Sequence, residues 1–209
     1  MVNFLIIIFI ITLLYMAKND VIKQYIFILA FQGLILFVVA LLELKNIDIP
    51  HLLLILLETL FFKGVFVPIF LYRLAKRGKL RRNYKGLLSG NASIGMAILI
   101  VIVSFTIAHA FHDQQLQIKY FTAAMSAMAI GFYIAVNHKD IISHLISFLV
   151  IENGIFLLSL ALGSEMPMFV NAAILLDIFT TVLIMGMFFN KVQQYFDEAL
   201  VDKLTHLKD

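Results

Sequence analysis

The 209-residue chain contains no cysteine. That single absence removes thiolate metal sites, iron–sulfur ligation, disulfides and thiol catalysis together. Tryptophan is also missing, so an aromatic belt at a membrane surface would rest on the 7 tyrosines and 20 phenylalanines. Charged residues make up 14% of the chain, against 62% hydrophobic residues and a mean hydropathy of +0.99. A soluble domain of this length does not have that balance. There is no phosphate loop, nucleophile elbow or metalloprotease helix, and no grouping of nucleophile, base and stabiliser that would make a free-standing enzyme.

What the chain does have is apolar length. Seven stretches, near 2–17, 24–42, 52–74, 91–111, 118–136, 141–163 and 168–190, approach the roughly 20 residues needed to cross a hydrocarbon core of roughly 30 Å. The first is short, but it lacks the basic leading region and small-residue cleavage site of a signal peptide, so it reads as a span. The expected fold is all-α: a polytopic membrane protein of seven transmembrane helices.

The basic residues predict its orientation. The loop 73–90 carries Arg73, Lys76, Arg77, Lys79, Arg81, Arg82 and Lys85 with no acidic residue. Alternation puts 18–23, 137–140 and the tail from 191 on the same side, and those four segments hold 13 of the 16 basic residues. Positive charge stays cytoplasmic, so the N-terminus is expected outside and the C-terminus inside, in the cytoplasmic (inner) membrane. The pI near 9.1 then reflects topology, not nucleic-acid binding. The tail 191–209 alternates charged and apolar residues, as an amphipathic helix at the cytoplasmic surface does.

Two stretches about 120 residues apart resemble each other. Lys18–Leu42 aligns with His138–Leu162, placing Asp20 on Asp140 and Gln32 on Glu152. With one residue of slippage, Leu56-Leu57-Glu58 falls on Leu175-Leu176-Asp177. A three-helix unit reverses the chain's side, so a second copy runs parallel to the first only if one helix intervenes. The span at 91–111 supplies it, with small residues (Gly90, Ala92, Ser93, Gly95, Ala97) that let helices approach. The expected organisation is a first repeat at 1–75, the basic loop and connecting helix at 76–117, a second repeat at 118–190 and the tail at 191–209.

Ionisable groups inside these spans need a reason, since each costs about 2.5–3.5 kcal/mol on insertion scales. Glu58 and Lys63 lie in the third span, Glu152 near the middle of the sixth and Asp177 near the middle of the seventh. In an α-helix five residues is a rotation of about 140°, so Glu58 and Lys63 are expected to face different neighbours. Pro68 frees a backbone carbonyl and bends the helix beside them. A carboxyl group poised between desolvation, which favours its neutral form, and a nearby ammonium, which favours its charged form, can load and release a proton. The bland alternative is a salt-bridge staple, with Glu58 or Lys63 paired to Asp177 or Glu152. Gln32 and Asn153 are auxiliary candidates, and His144 is a possible cytoplasmic relay toward Glu152. His109 and His112 form an i, i+3 pair without a third ligand, so no metal site is expected.

The run Phe62-Lys63-Gly64-Val65-Phe66-Val67-Pro68, the triplet Glu152-Asn153-Gly154, Asp177 after a leucine pair and the ending Leu204-Thr205-His206-Leu207-Lys208 resemble the hydrogenase-4 component E family. The resemblance implies a membrane subunit of a formate-hydrogenlyase-type, energy-converting hydrogenase. Its C-terminal three helices would then be similar to the K-type subunit of respiratory complex I and the C-type subunit of multisubunit cation/proton antiporters. Glu152 and Asp177 would stand where the K-type subunit keeps two proton-relay glutamates. The expected protein is therefore a non-catalytic subunit that binds no cofactor, sits in the lipid bilayer among other membrane and peripheral subunits of a redox complex, and contributes Glu58, Lys63, Glu152 and Asp177 to proton translocation. Two rivals keep the same residues: a cation/proton antiporter component, and a scaffold in which the charges only glue helices together.

Overall fold

In a computed structural model, the described residues are 1–19, 21–43, 53, 57–77, 86–110, 117–138, 141–161 and 186. Asp177, the expected seventh span and the tail 191–209 lie outside them. Among the described residues the regular structure is entirely helical: α1 (Val2–Lys18), α2 (Ile22–Glu43), a π-helix π1 (Leu57–Phe66) running into α3 (Val67–Arg77), α4 (Gly90–Ala110), α5 (Ile118–Asn137) and α6 (Ile141–Ala161). Helix is what such apolar segments must form where no water can satisfy the backbone. Four helices, α2, α4, α5 and most of α6, are long and apolar enough to cross a membrane, and α1 is a shorter apolar helix. This is the composition of a multi-pass membrane protein.

The segment expected to be the third span departs from a regular helix. Pro68 has no N–H for the carbonyl four residues back, and its ring crowds that carbonyl, so α-helical bonding cannot pass cleanly through Gly64–Pro68. The coil on the N-terminal side takes the wider π register, in which the hydrogen bond closes one residue later. Positions 58 and 63 are one such step apart, so the rotation of about 140° expected between them from α-helical geometry does not apply. The side chain of Glu58 lies outside the described residues.

Among the described helices the largest interface joins α5 and α6. Further contacts pair α1 with α5, α2 with α6, α1 with α2, and α2 with π1 and α3. The core sits among α1, α2, α5 and α6, where Phe9, Leu13, Leu36, Ile130 and Ile146 have no exposed surface. The connecting helix α4 packs on α1 and α5 along a narrow stripe of small residues, Ser93, Ala97, Ser104 and Ala108. Tyr133 of α5 donates to the Ser93 hydroxyl at 2.8 Å. Of the small residues expected to bring α4 close, Ser93 and Ala97 do so, while Gly95 faces open space.

Candidate functional site

The site forms where α2, π1 and α6 meet at mid-length. Gln32 is the eleventh residue of the 22 in α2, and Glu152 the twelfth of the 21 in α6. Both are buried. The three residues of the Glu-Asn-Gly triplet lie about 100° apart around α6, and each meets a different neighbour. Glu152 faces π1, Asn153 faces α2 and Gly154 faces α5.

Lys63 reaches from π1 to α6, where its Nζ lies 2.7 Å from Glu152 Oε1. The side chains are 6% and 5% exposed, so this is a buried ion pair. The same ammonium lies 5.3 Å from the centre of the Phe156 ring, one turn along α6, within range of a cation–π attraction. α2 brings π1 near through Gly33: a Cβ there would stand 2.9 Å from the Lys63 carbonyl carbon and 3.0 Å from the Gly64 nitrogen. Any side chain at position 33 would crowd the π1 backbone at Lys63 and Gly64. A cavity of about 10 Å³, near the size of one water, opens beside the pair between Leu29, Val67, Leu149 and Asn153.

A chain of neutral hydrogen bonds runs from α6 across α2 to α1. Asn153 donates to Gln32 Oε1 at 3.3 Å, and Gln32 donates to Thr12 Oγ1 of α1 at 3.0 Å. The Thr12 hydroxyl donates to the Phe9 carbonyl at 2.6 Å. Every donor points the same way and ends on a backbone carbonyl. The second amide hydrogen of Gln32 points at Met16 Sδ, 3.6 Å away. Amides keep their protons, so this chain orients the site without carrying charge.

Of the residues expected from sequence, Lys63, Glu152, Gln32 and Asn153 are thus brought together. Asp177 is outside the described residues, as is the side chain of Glu58. His144 is exposed on α6 and does not join the group. Eight residues separate it from Glu152, and at about 100° per residue this leaves it roughly 80° around the helix. Sequence reasoning missed Phe156, whose signal was its i+4 spacing from Glu152. It also missed Glu43, at the end of α2, which accepts from the Tyr120 hydroxyl and lies 3.3 Å from Lys119 Nζ.

Among the described residues, the fold and site define a helical membrane protein with a buried charge pair at mid-helix. No family model matches the chain, and no solved structure matches it. The chain is similar to an uncharacterized protein of Mycobacterium tuberculosis, with 22% identity over 185 residues that cover 87% of this chain and 84% of that one.

Proposed function

We propose that this protein is a membrane subunit of a complex-I-like or energy-converting hydrogenase complex, in which Lys63 and Glu152 exchange protons at mid-membrane. The observation that carries this reading is the ion pair itself: two titratable groups with unlike chemistry, buried at the centre of apolar helices and joined at 2.7 Å. The resemblance to the hydrogenase-4 component E pattern around Lys63–Pro68 and Glu152–Gly154 supports the same assignment. In this reading the chain crosses the inner membrane seven times with its N-terminus outside. Its two three-helix repeats meet through the equivalent helices α1 and α5 and the equivalent helices α2 and α6, which are in contact.

The pair moves one proton per cycle as follows. A proton arriving at Glu152 neutralises the carboxylate and removes the charge that holds Lys63. The ammonium passes one of its protons onward, to Glu58 or Asp177. The neutral amine then takes the proton from Glu152, which restores the pair. Low surrounding polarity makes each state sensitive to the charge of its neighbour, so protonation of one group drives release from the other. The amide chain through Asn153 and Gln32 keeps α6 and α2 in register while this occurs.

The test uses the intact complex, its subunits identified by mass spectrometry of the native assembly. Glu152→Gln and Lys63→Met should each lower proton translocation by about a hundredfold, the low side of what a positioned proton-transfer group contributes. Electron transfer to an artificial acceptor should persist. Unchanged translocation in both variants would remove the proposal. The closeness of the pair favours one second reading, a structural staple. Under it the same variants would disrupt assembly on a native gel, with no separate transport defect.

A further inference from the structure

Residues 86–89 lead into α4 as a turn that is fixed on both sides. Asn137, the last residue of α5, accepts twice from it. Leu87 N–H donates to the Asn137 carbonyl at 2.9 Å, and Leu88 N–H donates to Asn137 Oδ1 at 3.0 Å. A Cβ at Gly86 would stand 2.3 Å from Asn137 Nδ2, so a side chain there would displace this amide from the turn. On the other side, a Cβ at Gly90 would lie 3.3 Å from the Lys18 carbonyl oxygen, at the end of α1. The turn therefore rests on the ends of two helices.

Holding the backbone inward leaves its side chains facing out. Leu87 is 62% exposed and Leu88 41% exposed, while Asn137 beneath them is buried. A lone exposed leucine is ordinary. Two adjacent ones, on a backbone bonded to a buried amide, make a fixed apolar knob.

Depth identifies what the knob meets. The 21 residues of α4, at about 1.5 Å each, span about 30 Å, the thickness of one hydrocarbon core. Its first residue then lies at the edge of that core, and Leu87 and Leu88 lie just outside, at headgroup level. The knob is continuous with a helix that is itself open to lipid, since Met96, Leu99, Ile102 and Phe105 of α4 are exposed. Charge complements the apolar surface. Lys18 Cγ lies 3.9 Å from a Cβ at Gly90, so the lysine stem passes the turn, and the residue is exposed. A stem in that position keeps its methylenes among acyl chains and its ammonium among lipid phosphates. We propose that the turn 86–89 is a membrane-interface anchor, with Leu87 and Leu88 inserted at the boundary between phospholipid headgroups and acyl chains. The anchor sets the depth of α4 and, through Asn137 and Lys18, that of α5 and α1. It requires only that these helices cross a bilayer, and proton exchange at Lys63 and Glu152 has no part in it.

The chain has no tryptophan, so one placed at position 87 is a clean reporter. Leu87→Trp in the full chain, in phosphatidylcholine–phosphatidylglycerol nanodiscs, should emit to the blue of a water-exposed indole. Lipids brominated near the headgroup end of the acyl chain should quench it more than lipids brominated near the chain terminus. Aqueous acrylamide should quench it little. Leu99→Trp, about 14 Å along α4 from Gly90 and so near the middle of the core, should show the opposite depth order. Asn137→Ala in the Leu87→Trp background should flatten the depth order, because the turn loses its hold through Leu88; an unaltered order would overturn the latch. Strong quenching by acrylamide and none by brominated lipid would overturn the anchor, leaving a water-facing knob of the kind a soluble partner covers. Protection from both quenchers would also overturn it, by placing protein from this chain or a second copy over the knob. If Leu87→Trp fails to fold, Leu88→Trp carries the same test.

Discussion

Helix α6 has two seams that solve opposite problems. Toward α5 it presents Gly154 and the Ser147 backbone to Ala124, Ala127 and Gly131, and the helices close until a Cβ on Gly154 would lie 2.9 Å from the Ala124 carbonyl oxygen. Toward π1 and α2 it presents Glu152 and Asn153, and the contact is made by long polar side chains around a small cavity. In lipid there is little hydrophobic drive between helices, so the first seam is held by close packing of small residues. The second is held by electrostatics between groups that can gain or lose protons. One seam is rigid because its parts have no alternative state. The other has titratable parts, and the proposed chemistry lies there.

The largest difference between the seams should appear when one charge is removed. Lys63→Met leaves Glu152 buried without its ammonium and should cost about 3–5 kcal/mol. The double change Lys63→Met with Glu152→Leu should recover most of that loss, because an apolar pair of similar size fits the same space. Thermal unfolding of the four proteins in one detergent gives the cycle. If the single variant were as stable as the natural chain, the ion pair would not be the tie between π1 and α6.

A smaller effect sharpens the other side of the comparison. Gly154→Ala should destabilise by about 1–3 kcal/mol, since the new methyl meets the backbone oxygen of Ala124 as well as the movable Met128 side chain. Gly95→Ala on α4 is the control. Nothing lies within 4 Å of a Cβ there, so it should be neutral or stabilise by up to about 1 kcal/mol through helix propensity. Equal costs at the two positions would mean that the α5–α6 seam is looser than described.

Much of this arrangement was legible in the chain. The positions of α2, α4, α5 and α6 follow the apolar stretches closely, because a membrane helix must be continuous and apolar for its length. The pairing of Lys63 with Glu152 was one of the partners open to a staple, and burial at matched depth was readable from the repeat alignment. The π register of residues 57–66 was not legible. Leu, Phe and Val fill most of that segment, so no pattern distinguishes one helical period from another, and only the proline hinted at the break. One inward histidine was also hidden. His138 lies outside any span and looks like a loop residue, whereas His144 lies inside one, yet the end of α5 turns the first inward and the period of α6 turns the second out.

Infrared difference spectroscopy of the assembled complex during turnover would read the charge seam directly. The carboxyl stretch of protonated Glu152 should appear and decay with each cycle, vanish in Glu152→Gln and change in Lys63→Met. A Glu152 that stays a carboxylate throughout turnover, with its signal indifferent to Lys63, would contradict proton exchange and leave the pair as a fixed tie between helices.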